Sequence, residues 1–123
     1  MAVVIDASAA AAVVFVEPGS EGLRRQLHGH ALFAPRLIEY ELANVAWKKM
    51  RRSPAADMAI LEMLADTARL NLTHADPDMT EVLLLAVATG LTPYDASYLW
   101  LARQRGLPLV TLDAALARAA AEL

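Results

Sequence analysis

The sequence predicts an α/β fold in three layers, α/β/α, around a central parallel sheet of four to five strands. Three observations lead there. Val3-Val4-Ile5 is an unbroken β-branched run with no polar alternation, the pattern of a strand covered on both faces. Short apolar runs alternate with helical segments along the whole chain, as βα units on a parallel sheet require. Asp6 and Asp113 close the first and last of those runs. All strands of a parallel sheet end on one edge, and that edge is where open α/β sheets hold ligands.

The elements follow in order. After the first strand, Ala9 to Val16 runs without a turn signal until Glu17-Pro18-Gly19-Ser20, and is expected to be a short helix. Ser20 is placed to cap a second helix running to about His28, with Gly29 ending it. Ala31 to Ala34 reads as the second strand, closed by Pro35, and Leu37 to Arg52 as a long helix. Ser53-Pro54 sets an N-cap before a proline suited to the first helical position, so a helix is expected to about Ala68. Leu70 to Thr73 is the third strand. Asp76 or Asp78 opens the next helix and Gly90 ends it; Thr92 opens another, which stops at Gly106. Leu107 to Leu112 forms the last strand, and Asp113 opens an alanine-rich terminal helix. No linker, repeat or low-complexity stretch interrupts this order, so residues 1–123 are expected to form one domain.

Bulk properties narrow the function. A chain of 123 residues can bury a substantial core. With no cysteine, disulfides and thiolate metal sites are excluded, and a reducing cytoplasm is the expected setting. The apolar N-terminus lacks the Lys or Arg of a signal peptide and is broken by Asp6, and no uncharged run is long enough to span a membrane. The net charge of −3 gives no global attraction for nucleic acid, so RNA binding would need a local basic patch or a metal ion.

The carboxylates carry the chemistry. Asp6, Asp95 and Asp113 each have a simple structural role available as helix caps; Thr92-Pro93-Tyr94-Asp95 matches a capping box, as does Asp78-Met79-Thr80-Glu81. Glu41 is different. On a helix it shares a row with Leu37 and Val45, with Asn44 beside it and Lys48 two turns away. A carboxylate in an apolar stripe needs a partner, a metal or a proton. If Asp6, Glu41, Asp95 and Asp113 meet, each pair about 4 Å apart repels by roughly 4 kcal/mol at an effective dielectric near 20. Such a cluster raises a pKa or takes up a divalent cation, and oxygen-only donors match Mg²⁺ or Mn²⁺.

These residues resemble a known family. Val3-Val4-Ile5-Asp6-Ala7-Ser8, Ala34-Pro35 with Leu37 leading to Glu41-Leu42-Ala43-Asn44, Leu91-Thr92 with Tyr94-Asp95-Ala96, and Pro108-Leu109-Val110-Thr111 with Asp113 are similar, in order and over nearly the whole chain, to the PIN domain. The nearest subset is the VapC-type toxins of toxin–antitoxin pairs. The resemblance implies a PIN-like α/β/α fold and a Mg²⁺- or Mn²⁺-dependent endoribonuclease, held in check by a VapB-like antitoxin. It implies that Asp6 and Asp95 ligate the metal directly, that Glu41 is a ligand or base for the attacking water, and that Asp113 acts directly or through water. Ser8 and Thr111 are expected to orient these acids if the strand face persists, with capping as the alternative. Glu39-Tyr40 stands before Glu41 where the family has an aliphatic residue, which leaves Glu39 as a second acid near the site.

Lys48, Lys49, Arg51 and Arg52 are candidates for RNA phosphate contacts, or equally for complementing the dipole at a helix C-terminus; Arg103 and Arg105 carry the same choice. His28, His30 and His74 are expected on the surface or in loops, outside the site. Trp47 and Trp100 have apolar neighbours at helical spacing, favouring core or subunit interface over base stacking. The Leu37–Met50 stretch is apolar nearly all round, which suggests burial on more than one side and a homodimer contact. The rival reading is a non-catalytic module whose acidic cleft binds a protein partner. A phosphoacceptor receiver ranks last, because the acidic pair on its first strand and a well-placed lysine are missing.

Overall fold

The computed structural model describes residues 1–122. Its sheet has four strands, β1 (Ala2–Ile5), β2 (Ala31–Pro35), β3 (Leu72–Ala75) and β4 (Leu109–Val110), all parallel and ordered β3-β2-β1-β4. Seven α-helices flank it among the described residues: α1 (Ala7–Val14), α2 (Ser20–Leu27), α3 (Leu37–Arg52), α4 (Asp57–Ala65), α5 (Met79–Thr89), α6 (Pro93–Arg105) and α7 (Ala114–Ala121). From β1 the chain steps outward through β2 to β3, then crosses back to β4 on the other side of β1. Right-handed crossovers therefore set α1–α4 on one face and α5–α6 on the other. The helix contacts agree, since α1 packs with α2 and α3, α3 with α4, and α6 with both α5 and α7.

The order in which strands are added reverses between β1 and β4, with every strand still parallel. That is the point where an open parallel sheet leaves a crevice beyond its strand ends. β1 is central and fully covered, with Val3, Val4 and Ile5 buried, and on α6 Tyr98, Leu99 and Leu101 are each about 1% exposed or less. The predicted strand run without alternation is thus a two-sided buried strand.

Several expected boundaries shift, each for a local reason. Asp6 itself caps α1, so the helix begins at Ala7 instead of Ala9 and ends before Val16, whose φ is +48°. Gly19, with φ +84°, stands at the position expected for Ser20, which is instead buried in the first turn of α2. The helix expected from Ser53 to Ala68 is broken into a 3₁₀ turn (Pro54–Ala56), α4 and a second 3₁₀ turn (Asp66–Leu70). Asn71 then takes a left-handed conformation, and β3 starts at Leu72, two residues later than expected. β4 covers only two residues because Thr111 and Leu112 turn their hydrogen bonds toward the β1–α1 junction instead of the ladder. No single helix among the described residues is long and apolar enough to cross a membrane; α5 and α6 would be so only together, and they meet at 107°.

α3 runs from Leu37 to Arg52 as its pattern predicts, yet it buries one stripe only, Ile38, Leu42 and Ala46. Tyr40 and Trp47 remain exposed, so Trp47 is not a core residue; Trp100 is partly buried and its Nε1 donates to Glu81 at 3.0 Å.

Candidate functional site

Asp6 is the anchor. Burial of β1 carries it to the sheet edge, where it is 4% exposed and its amide donates to the Val110 carbonyl at 3.2 Å, joining the ends of β1 and β4. Its Oδ1 accepts from the Ala9 amide at 3.0 Å and from the Ser8 hydroxyl at 2.7 Å, and its Oδ2 accepts from the Thr111 hydroxyl at 2.6 Å. A carboxylate offers about four lone-pair sites, so Oδ2 keeps one free. Ser8 and Thr111 lie 3.3 Å apart and are themselves pinned, Ser8 by the Leu112 amide and Thr111 by the Asp113 amide. Capping and orienting are therefore the same set of bonds.

The other three acids arrive on three helices. Glu41 projects from the second turn of α3, Asp95 from the first turn of α6, and Asp113 caps α7 through the Leu116 amide at 2.9 Å. Thr92 caps α6 by accepting from the Asp95 amide, but among the described residues no bond returns from the Asp95 carboxylate to close the box. All four acids line one cavity of about 300 Å³, with Ser8, Asn44, Lys48 and Tyr98. Cavities of similar size elsewhere are lined differently, and charge, not volume, sets this one apart.

Electrostatics shows the crowding. Burial pushes the Glu41 carboxyl above its usual range, the Tyr98 hydroxyl pulls it back, and the charges of Asp95 and Asp6 add to the rise. Asp95 is also raised, by burial first and then by the charges of Asp113 and Asp6. No three acid or imidazole side chains among the described residues stand close enough to hold an ion as they are. Bonds to Ser8 and Thr111 hold Asp6 where it stands, a bond to Tyr98 holds Glu41, and a bond to the Leu116 amide holds Asp113. The donors are nonetheless hard oxygens around a buried anchor, the set that suits Mg²⁺ or Mn²⁺.

Of the four cations at the end of α3, Lys48 alone lines the cavity. Lys49 pairs with Glu17 at 3.2 Å and lies over Phe15, and the Arg51 guanidinium stacks on the Trp47 ring at 4.7 Å. Arg105 lies over Phe33 at the far end of α6. Glu39 faces away, its carboxylate 3.0 Å from His74 Nε2, so the second acid of the Glu39-Tyr40-Glu41 run is outside the cavity. His74 is a strand residue with a mostly buried side chain, not a loop histidine, although it lies outside the acidic site as expected.

Tyr98 was not legible as a site residue from composition, but its position was available. It follows Asp95 by three residues on one helix, so both face the same way. Its hydroxyl donates to Glu41 Oε1 at 2.6 Å.

The profile of the PIN domain family matches residues 3–122. Ribonuclease VapC3 of Pyrobaculum aerophilum is 36% identical over 124 residues, covering 95% of this chain and 93% of that protein. Exonuclease VapC9 of the same organism is 39% identical over 86 residues, which is 70% of this chain and 65% of that protein. The crystal structure of PAE2754 from Pyrobaculum aerophilum superposes with a TM-score of 0.80 at 31% identity, over 97% of this chain and 84% of that one. With fold and relatives in agreement, the chain belongs to the PIN-domain family and is a homologue of the VapC ribonucleases.

Proposed function

We propose that this protein is a divalent-metal-dependent endoribonuclease and the toxin of a toxin–antitoxin pair. The observation that carries the reading is the meeting of Asp6, Glu41, Asp95 and Asp113 in one cavity from four separate stretches of chain. Kinship with Ribonuclease VapC3 supports RNA as the substrate.

Asp6 and Asp95 are the ion's first ligands in this reading, with Glu41 and Asp113 completing the set directly or through water. A bound Mg²⁺ or Mn²⁺ would lower the pKa of water and stabilise charge on an attacked phosphodiester. Ser8 and Thr111 hold the Asp6 carboxylate in one orientation. Glu41, with Oε1 tied to Tyr98, keeps Oε2 to serve as a ligand of the ion or as a base for the attacking water. Asn44 and Lys48 on the cavity wall hold the substrate phosphate. A VapB-like antitoxin covering the acidic cleft would block the enzyme in the cytoplasm. Exposed Tyr40 and Trp47 on α3 support a second protein surface there, in keeping with a homodimer.

Digestion of total RNA with Mg²⁺ or Mn²⁺, followed by end mapping, tests the reading. Cleavage is expected to disappear with EDTA and in folded Asp6→Asn and Asp95→Asn proteins. Undiminished cutting by both variants would reject it in favour of a non-catalytic acidic cleft.

A further inference from the structure

Among the described residues, Glu41 is the only one of the four acids whose carboxylate is tied to a side chain on the opposite wall of the cavity. The tie is Tyr98, from α6, reaching across to α3 with an O–H to Oε1 distance of 2.6 Å. The phenol ring is 1% exposed and packed into the core, so its hydroxyl cannot swing away without opening the interior. Asp6 receives two hydroxyls from its own edge of the sheet, whereas Glu41 has this one external anchor among the described residues. A glutamate side chain has three rotatable torsions, and α3 alone would leave its head group free to sweep the half-open cavity.

We propose that Tyr98 is a positioning residue for the metal site: by holding Glu41 Oε1, it aims Oε2 at the ion or its water and locks α3 and α6 at the spacing the ion needs. This rests on the metal-dependent reading of the acidic cavity. It extends that reading to a residue that contributes no ligand, as outer hydrogen-bond partners of metal ligands generally do. The phenol acts as a fixed neutral donor. Its proton is not transferred, so no step of the reaction passes through it.

The test is ion binding, read by calorimetric titration of Mn²⁺ into the purified, metal-stripped protein without RNA. Tyr98→Phe removes the hydroxyl and keeps the ring. It is expected to weaken Mn²⁺ binding roughly tenfold or more, the scale seen when an outer partner of a ligand is lost. Glu41→Gln is expected to weaken it as well, and Tyr98→Phe added to Glu41→Gln should cost little further. Additive losses in the double variant, or wild-type affinity in Tyr98→Phe, would overturn the proposal while leaving the site intact. No Mn²⁺ binding by the wild-type protein would overturn both. If Tyr98→Phe does not fold, wild-type protein labelled with 3-fluorotyrosine decides the matter. The Tyr98 ¹⁹F resonance, assigned with Tyr40→Phe and Tyr94→Phe variants, should move with the Mg²⁺ titration; a resonance that stays put would overturn the assignment.

Discussion

Glu39 and Glu41 lie two residues apart on α3, and their surroundings make them different reagents. The Glu39 side chain is more than half exposed and pairs with His74, beside a cavity of about 360 Å³ walled by Ile38, Leu42, Leu64 and Leu72. Glu41 is half-buried, tied to a phenol, and within reach of the charges on Asp95 and Asp6. One acid sits beside a basic group; the other is surrounded by its own kind. The first arrangement is settled as it stands, and the second would be relieved by a cation. A roomy, mostly apolar cavity is thus a poorer guide to chemistry here than a smaller one in which like charges are forced together.

Asp6→Asn offers the largest contrast. It removes the buried charge at the heart of the acidic cavity and is expected to lower RNA cleavage at least about a hundredfold, the scale of losing one preorganised electrostatic group. Circular dichroism should show the fold retained. Next in size is stabilisation by the ion: Mg²⁺ or Mn²⁺ at a hundredfold excess over Kd contributes about 2.7 kcal/mol, a rise in Tm of roughly 10 °C for a chain of this length. Glu39→Gln should show the same rise, and Asp6→Asn should lose most of it in a thermal-shift titration.

The repulsion itself is measurable in metal-free protein. Glu41 and Asp95 have raised pKa values, so the folded state binds their protons more tightly than the unfolded chain does. Their contribution to stability is then complete below the ordinary carboxylate range and is lost as pH rises through the raised values. Melting in EDTA should therefore show Tm falling across that window, with the ion's effect growing as the pH climbs. Asp95→Asn should flatten the profile and raise the metal-free Tm at neutral pH by roughly 2–4 °C, a small gain because the site is partly solvated. A steeper fall in the variant would contradict the assigned repulsion. Smallest of all is Glu39→Gln, which removes a charge that is more than half exposed beside His74 and is expected to shift Tm by roughly 2 °C or less and leave cleavage unchanged.

Much of this was legible in the sequence because the signals are local and strong. The β-branched run before Asp6, the periodicity of α3 and the turn chemistry at Gly90 and Gly106 each specify an element without help from distant residues. Glu41 stood out because a charge in an apolar stripe conflicts with burial, and the structure places that conflict at the cavity. Some of what escaped was set by tertiary contact, and the rest by local stacking and backbone geometry. The direction of Lys49 depends on Glu17 and Phe15, more than thirty residues away, and Arg51 follows an exposed Trp47. The start of β3 depends on the left-handed Asn71, and the shortness of β4 on hydroxyl bonds to Asp6 and Ser8 just past the end of β1. Glu39 and Glu41 could not be sorted by spacing alone, since the sorting partners, His74 and Tyr98, lie far along the chain.

Anomalous diffraction from crystals soaked in Mn²⁺ tests the central claim most directly. The account predicts a manganese peak in the cavity of Asp6, Glu41, Asp95 and Asp113, absent from Asp6→Asn crystals. A cavity without manganese in the wild-type protein, or a peak only at Glu39 and His74, would contradict it.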